Sequence, residues 1–315
     1  MYLIAGATGY VGGLLADELA RTGREVRCMA RSPERADGRF DPRCEVVRGD
    51  VLEPETLDGA LEGVDLAYYL VHSMGRGGDA DFAERDRRGA RNFAEAAARK
   101  GVERIVYLGG LGEGKSQHLR SRQETAEALS STDIPLTYFR AAIVIGAGSE
   151  SLRTIAYLVK RLPAMITPSW TQTKTQPIAA ADVVGYLAAA PDLPASSGRE
   201  IQIGGPDVTT YGGLLDLAAE AQELPRRPRV GVPILSPTLS SHWIGLITPV
   251  DAGVARPLVE GLSTETIVED TSGMALFDVE GTPLRQAMFE AVPGALRGKT
   301  AHLCPTSGTS AERMP

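Results

Sequence analysis

Gly6, Gly9 and Gly12 punctuate the segment Gly6-Ala7-Thr8-Gly9-Tyr10-Val11-Gly12, directly behind the apolar run Leu3-Ile4-Ala5 and ahead of a helical pattern. Glycines at this spacing bring a phosphate against bare backbone. The turn aims N–H groups and the positive end of a helix at an anion. Gly6 permits the tight turn, Gly9 lets the backbone approach the phosphates, and Gly12 lets the helix pack closely on the strand. Thr8 adds a hydroxyl, and Tyr10 and Val11 complete the turn. Glycine turns also occur without a ligand. An apolar strand before this one and a helix after it mark a nucleotide site.

A second constellation lies in His118-Leu119-Arg120-Ser121-Arg122. His118 and Arg122 stand four apart in a helical stretch, so they share one face. A histidine titrates near neutrality and can pass a proton to a carbonyl or quinone oxygen. An arginine stays charged; it can hold a ribose or a phosphate but cannot act as an acid. A polar helix face without a catalytic role is the other reading of this pair.

These residues need elements to position them. Tyr2–Ala5, Glu25–Ala30, Cys44–Arg48, Val64–Val71 and Glu103–Leu108 read as strands, and Leu136–Phe139 with Ile143–Ile145 as a sixth. Tyr10–Arg21, Glu53–Leu61, Asp79–Lys100 and Gln117–Ser130 read as the helices between them, with Gly101 as a C-terminal stop. Phe82, Ala90, Phe93 and Ala97 face the sheet from the long third helix. Strands alternating with helices predict an α/β fold, a Rossmann-type doubly wound parallel sheet with a small C-terminal substrate lobe. The expected division is 1–150 for the dinucleotide-binding domain, 151–297 for the smaller interleaved lobe, and 298–315 for a disordered tail. In the lobe, Leu152–Leu162, a stretch from Asp182 and Tyr211–Gln222 read as helices, and Ala252–Leu262 as a weaker one. Gln176–Ile178 and Glu200–Ile203 read as strands.

In such a sheet the ligand lies at the carboxyl ends of the strands. Strand two ends in Ala30-Arg31-Ser32, with Arg35 close behind. An NAD site usually has an acid there for the ribose hydroxyl; a guanidinium suits the 2′-phosphate of NADP. Arg31 and Ser32 therefore favour NADP, with NAD as the alternative should Arg31 be a solvated surface residue. Asp50 and Val51, after strand three, are placed for the adenine amino group and ring, or Asp50 simply caps a helix. Val71 ends strand four, and His72 with Ser73 follows it; these residues face the cofactor or pack a loop. Gly109 and Gly110 follow strand five.

A net charge of −7 argues against a general nucleic-acid surface. Cys28, Cys44 and Cys304 lack metal or redox spacing. A strand begins right after Met1 in place of a secretory signal, so a cytoplasmic protein is expected. Val230 to Val250 runs 21 residues without a charge. Pro233, Pro237 and Pro249 break it, so burial is expected ahead of peripheral contact with a membrane or partner.

With these residues in view, the chain resembles the atypical and extended short-chain dehydrogenases/reductases, their NmrA-like branch in particular. The match runs over residues 1 to 262. It rests on Gly6 to Gly12, on Gly89-Ala90-Arg91-Asn92-Phe93 through Tyr107-Leu108, and on Arg140-Ala141-Ala142-Ile143-Val144-Ile145-Gly146. Gln176-Pro177-Ile178, Asp182-Val183 and Ile203-Gly204-Gly205-Pro206 are the later landmarks. The resemblance implies NAD(P) binding and reduction by a Tyr-x-x-x-Lys pair with a serine after strand five. This chain departs at all three points: His118 and Arg122 stand in place of Tyr and Lys, and Gly109-Gly110 in place of the serine. Two functions follow. One is an NADPH-dependent oxidoreductase that passes a hydride to a carbonyl or quinone-like, small apolar substrate, with Ile155, Tyr157, Leu158, Trp170 and Trp243 lining the site. The other is an NADP(H)-binding sensor without turnover.

Overall fold

A computed structural model describes residues 1–36, 38–72, 79–112, 117–232 and 264–297. Leu3, Ile4 and Ala5 have no exposure at all, because β1 (Tyr2–Ala5) is covered on both faces. Such burial is why the strand reads as a continuous apolar run rather than an alternating one. Leu3 and Ile4 each contribute about 1.5–3 kcal/mol by leaving water. The other strands of the first half are β2 (Val26–Ala30), β3 (Glu45–Arg48), β4 (Leu66–Tyr69), β5 (Arg104–Gly110) and β6 (Leu136–Ala141). Helices α1 (Tyr10–Arg21), α2 (Leu57–Ala60), α3 (Asp79–Arg99) and α4 (Gln117–Leu129) alternate with them.

The second half holds β7 (Val144–Ile145), α5 (Glu150–Arg161), β8 (Met165–Pro168), β9 (Lys174–Thr175), β10 (Ile178–Ala179) and α6 (Ala180–Ala189). It continues with β11 (Glu200–Ile203), β12 (Thr209–Thr210), α7 (Tyr211–Glu220), β13 (Arg229–Val232) and α8 (Leu284–Arg297). Among the described residues, seven strands form one sheet in the order β11-β6-β5-β4-β1-β2-β3, parallel at every pairing. The order reverses between β1 and β4, which is the switch point where doubly wound sheets take their ligands.

Two apolar layers cover the sheet. Phe82, Ala90, Phe93 and Ala97 of α3 are all buried, as the spacing predicts, and pack with α2 and α4 on one face. On the other face α1 and α6 pack against each other over Ile4, Val106 and Phe139. A third apolar cluster joins α5, α7 and α8 through Leu152, Leu214 and Met288. Gly101 ends α3 at φ +73°, in the left-handed region that glycine takes without strain. Beneath the sheet, Arg104 is 8% exposed. It donates to Thr137 Oγ1 at 2.9 and 2.7 Å, to Ser196 Oγ at 2.5 Å and to the Ala190 carbonyl at 2.8 Å. Four hydrogen bonds thereby satisfy a buried cation and fix the turns after α6.

Several boundaries differ from the sequence reading. Residues 53–61 form a short 3-10 turn, Pro54–Thr56, and then α2, because Pro54 starts the turn. Strand five runs on through Gly109 and Gly110, which pair with Arg140 and Ala141. The expected sixth strand divides: β6 stays in the main sheet, whereas β7 leaves it to pair with β10. Helix α6 starts at Ala180, and Asp182 serves elsewhere, accepting from Thr282 N–H and Oγ1 at 2.8 and 2.7 Å. Val230–Val232 belong to β13, paired with β8. The rest of that uncharged run, the expected helix 252–262 and the expected tail 298–315 lie outside the described residues. Among the described residues, no helix is long and apolar enough to cross a membrane.

Candidate dinucleotide and substrate site

Gly6 sits at φ +94°, and a Cβ there would lie 2.6 Å from the Leu70 carbonyl group and 3.0 Å from Val71 N. Only glycine lets the β1 turn press against the end of β4 in this way. A Cβ on Gly12 would lie 2.3 Å from the Gly6 oxygen, so α1 starts in direct contact with the turn. Gly9 occupies the cap position of α1 and donates its N–H to the Gly6 carbonyl at 2.9 Å. It offers no side-chain oxygen, so the first N–H groups of the helix have no side-chain cap. Exposed Thr8 and Gly9 bound a cradle lined by backbone donors. This donor set fits a pyrophosphate.

Tyr10 departs from the sequence expectation. Its ring turns away from the turn and lies across Gly146 and Gly148: an added Cβ would come within 2.3 Å of the ring at Gly148 and within 2.3 Å of the hydroxyl at Gly146. Burial pushes the phenol pKa up, while hydrogen bonds from the Gly148 and Ala147 backbones pull it down. The backbone of Tyr10 and Val11 is therefore what these residues offer at the turn.

Arg31 is exposed at the end of β2, and Ser32 leads into a 3-10 turn, Pro33–Arg35. A third guanidinium, which the sequence reading missed, comes from Arg39. Its Nη2 donates to the Thr8 carbonyl at 3.1 Å, spanning from the β2–β3 connection to the glycine turn. An arginine eight residues beyond Arg31 is the one signal for it, and loop geometry decided the rest. Asp50 accepts the Leu52 N–H on Oδ1 at 2.9 Å and donates its own N–H to Thr56 Oγ1, also at 2.9 Å. Its turn-capping role is thus realised through one oxygen; Oδ2 makes no hydrogen bond among the described residues. Val51 is 8% exposed and packs against Gly89 of α3, so its side chain serves the core instead of an adenine face. Val71 is half-buried behind Gly6, and His72 is exposed beside it.

Past the switch point, the position of the expected serine is closed. A Cβ on Gly109 would meet the Tyr138 ring at 2.7 Å and its hydroxyl at 2.8 Å; one on Gly110 would meet Leu119 at 2.8 Å. Tyr138 stacks on Tyr107 with centroids 5.1 Å apart, and Tyr69 follows at 6.2 Å from Tyr107. Burial pushes all three phenols up. Arg122 lies beside this stack: the Tyr107 hydroxyl donates to the Arg122 carbonyl at 3.3 Å, and the Arg122 charge works against the rise that burial gives the phenol. His118 stands in the first turn of α4, one turn before Arg122, and its side chain lies outside the described residues. Arg140 ties the approach to α4 in place. It donates to the carbonyls of Gly110 at 3.2 Å and Gly112 at 2.7 Å, and pairs with Glu200 at 2.6 Å.

Of the expected apolar lining, Ile155 packs into the cluster of α5, α7 and α8. The Tyr157 hydroxyl donates to the Leu296 carbonyl at 3.4 Å, so this side chain also faces α8. Leu158 is half-buried on the same helix. The Trp170 side chain and Trp243 lie outside the described residues.

Comparisons with known proteins bear on the fold and the cofactor. Residues 6–141 match a family model described as NAD(P)H-binding. The chain is 25% identical over 291 residues to the mitochondrial NADH dehydrogenase [ubiquinone] 1 alpha subcomplex subunit 9 of Arabidopsis thaliana, covering 85% of this chain and 71% of that protein. It is 32% identical over 144 residues to (4-alkanoyl-5-oxo-2,5-dihydrofuran-3-yl)methyl phosphate reductase of Streptomyces griseus, 44% of this chain and 46% of that protein. In structure it is similar to the Citrobacter sp. triphenylmethane reductase solved with NADP(H), with a TM-score of 0.71 at 20% identity, over 92% of this chain and 99% of that one. That last likeness is one of fold. The resemblance to short-chain dehydrogenases/reductases agrees with all three, and the NmrA-like branch is compatible with them.

Proposed function

We propose, from the NAD(P)H-binding domain of residues 6–141, that the chain is an NADPH-dependent oxidoreductase acting on a small carbonyl or quinone-like molecule. The observation that carries the cofactor choice is the Arg39–Thr8 bridge beside exposed Arg31 and Arg35. Three guanidiniums around the end of β2 suit a 2′-phosphate, where an NAD site would hold an acid. Gly6, Gly9 and Gly12 with the backbone of Tyr10 and Val11 would hold the pyrophosphate. Arg31, Ser32 and Arg39 would hold the ribose phosphate, and Asp50 Oδ2 the adenine amino group. When bound, the reduced nicotinamide supplies a hydride.

The chain's own task is then orientation and proton delivery. His118 in the first turn of α4 is the proton donor in this reading, and Arg122 a fixed cation at the end of β5. Arg140 holds the Gly110–Gly112 backbone from which α4 departs. The reductase relative supports a small-molecule substrate. The test is a screen of NADPH oxidation against quinones, aldehydes and ketones, with calorimetry in parallel. NADH binding as tight as NADPH refutes the guanidinium argument. His118→Phe is expected to lose turnover and keep cofactor affinity; unchanged turnover removes His118 from the mechanism.

One observation favours a second reading. At Gly109 and Gly110 the space a Cβ would take is held by the Tyr138 and Leu119 side chains. A binding protein that senses NADP(H) without turnover would have this arrangement. Tight NADPH binding with no acceptor turned over selects it.

A further inference from the structure

Tyr10 is the first residue of α1, so its N–H belongs to the helix end that faces the dinucleotide, yet its side chain lies in the second half of the molecule. The ring fills the space above Gly146 and Gly148, and its hydroxyl oxygen would lie 2.3 Å from a Cβ on Gly146. The opposite side of the same loop is closed as well: a Cβ on Gly294 of α8 would lie 2.8 Å from the Ala147 side chain. One on Gly146 would lie 2.8 Å from Ala180, the first residue of α6. The loop then runs directly into α5, whose cap Ser149 donates its N–H to Gly146 at 3.0 Å and accepts from Leu152 N–H at 3.4 Å. Residues 146–149 are therefore clamped between the start of α1 and the helices of the third apolar cluster.

We propose that Tyr10 is a positioning residue that ties the dinucleotide turn to the second half of the chain, so that a dinucleotide held at the start of α1 stiffens residues 146–149 and the start of α5. A packed aromatic ring has discrete arrangements, so fixing α1 fixes the loop it leans on. The hydroxyl is part of this contact, because it is the Tyr10 atom that comes nearest to Gly146. The idea rests on the reading of the turn as an NAD(P)H site.

Hydrogen–deuterium exchange of the full chain, with and without NADPH, tests it. In the wild type, NADPH slows exchange in peptides covering both 8–14 and 146–158. In Tyr10→Phe the slowing at 8–14 persists, while the NADPH-dependent slowing at 146–158 falls by about fivefold or more. A purely structural role would raise exchange at 146–158 equally with and without NADPH and leave that difference intact. An undiminished difference in Tyr10→Phe overturns the coupling. Gly148→Ala, whose Cβ would meet the ring at 2.3 Å, carries the same criterion should Tyr10→Phe fold poorly. Absence of slowing at 8–14 in the wild type overturns the cofactor reading itself, and the coupling with it.

Discussion

Gly12→Ala tests the phosphate turn with one methyl group. The new Cβ would lie 2.3 Å from the Gly6 oxygen, 2.9 Å from the Gly6 carbonyl carbon and 3.0 Å from Ala7 Cα. All three are backbone atoms, so no side chain can swing aside. Ordinary contact needs about 3.4 Å or more, so α1 must retreat by about 1 Å at its first turn. Overpacking of this kind costs about 1–3 kcal/mol. At about 2–4 °C per kcal/mol for a large domain, Tm falls by several degrees. The displaced helix start also loses one backbone hydrogen bond to a charged phosphate, worth about 1.5–3 kcal/mol. That corresponds to about 10- to 150-fold in the Kd for NADPH. Calorimetry of NADPH binding with a thermal melt measures both effects. A Gly12→Ala protein that binds NADPH as the wild type does and melts at the same temperature refutes the reasoning.

Arg39→Ala should weaken NADPH binding by about tenfold while leaving NADH unchanged, since a charge-assisted contact to the 2′-phosphate is lost; equal losses for both cofactors would reassign Arg39 to holding the turn alone. Arg104→Met should cost about 1–3 kcal/mol by removing the charged donor from Thr137, Ser196 and the Ala190 carbonyl, read as a fall in the denaturation midpoint without change in NADPH affinity. Tyr68, Tyr69, Tyr107 and Tyr138 all have phenols raised by burial. The unfolded chain releases these protons first, so their contribution is complete below about pH 10 and is lost as pH rises above it. Absorbance at 295 nm should therefore show a late tyrosine class that ionises together with loss of circular dichroism; one titration near pH 10 with the fold intact would contradict their burial.

Where physics is local, the residues told the structure. β1, α1 and β11 have the boundaries read from the sequence, because an apolar run, a glycine turn and a helical spacing each act over a few residues. The switch-point turn was legible for the same reason. Helix α8 was not. Leu284, Ala287, Met288, Ala291, Val292 and Ala295 form its buried stripe, but Pro293 inside it hides the signal. Its first turn relies on Asp207, whose carboxylate accepts Leu284 N–H at 2.7 Å from 77 residues away. Arg39 and Tyr10 escaped for a related reason. Their partners, Thr8 and the Gly146–Gly148 loop, are chosen by how the chain returns in space. Gly109 and Gly110 look like a turn in sequence, yet β6 pairs with them, and pairing outweighs the weak strand propensity of glycine.

The seventh strand has a consequence for how the chain is made. β11 pairs along β6, yet about sixty residues separate them, and they include α5 and α6. At about 5–20 residues per second, a ribosome leaves β6 as an open edge for several seconds before residues 200–203 emerge. During that interval Tyr138, Phe139 and Ala141 present an apolar strand with unpaired backbone, the kind of edge that recruits other chains. The nascent protein is thus most open to aggregation midway through synthesis, and holding that edge until β11 arrives is the natural point for a chaperone to act.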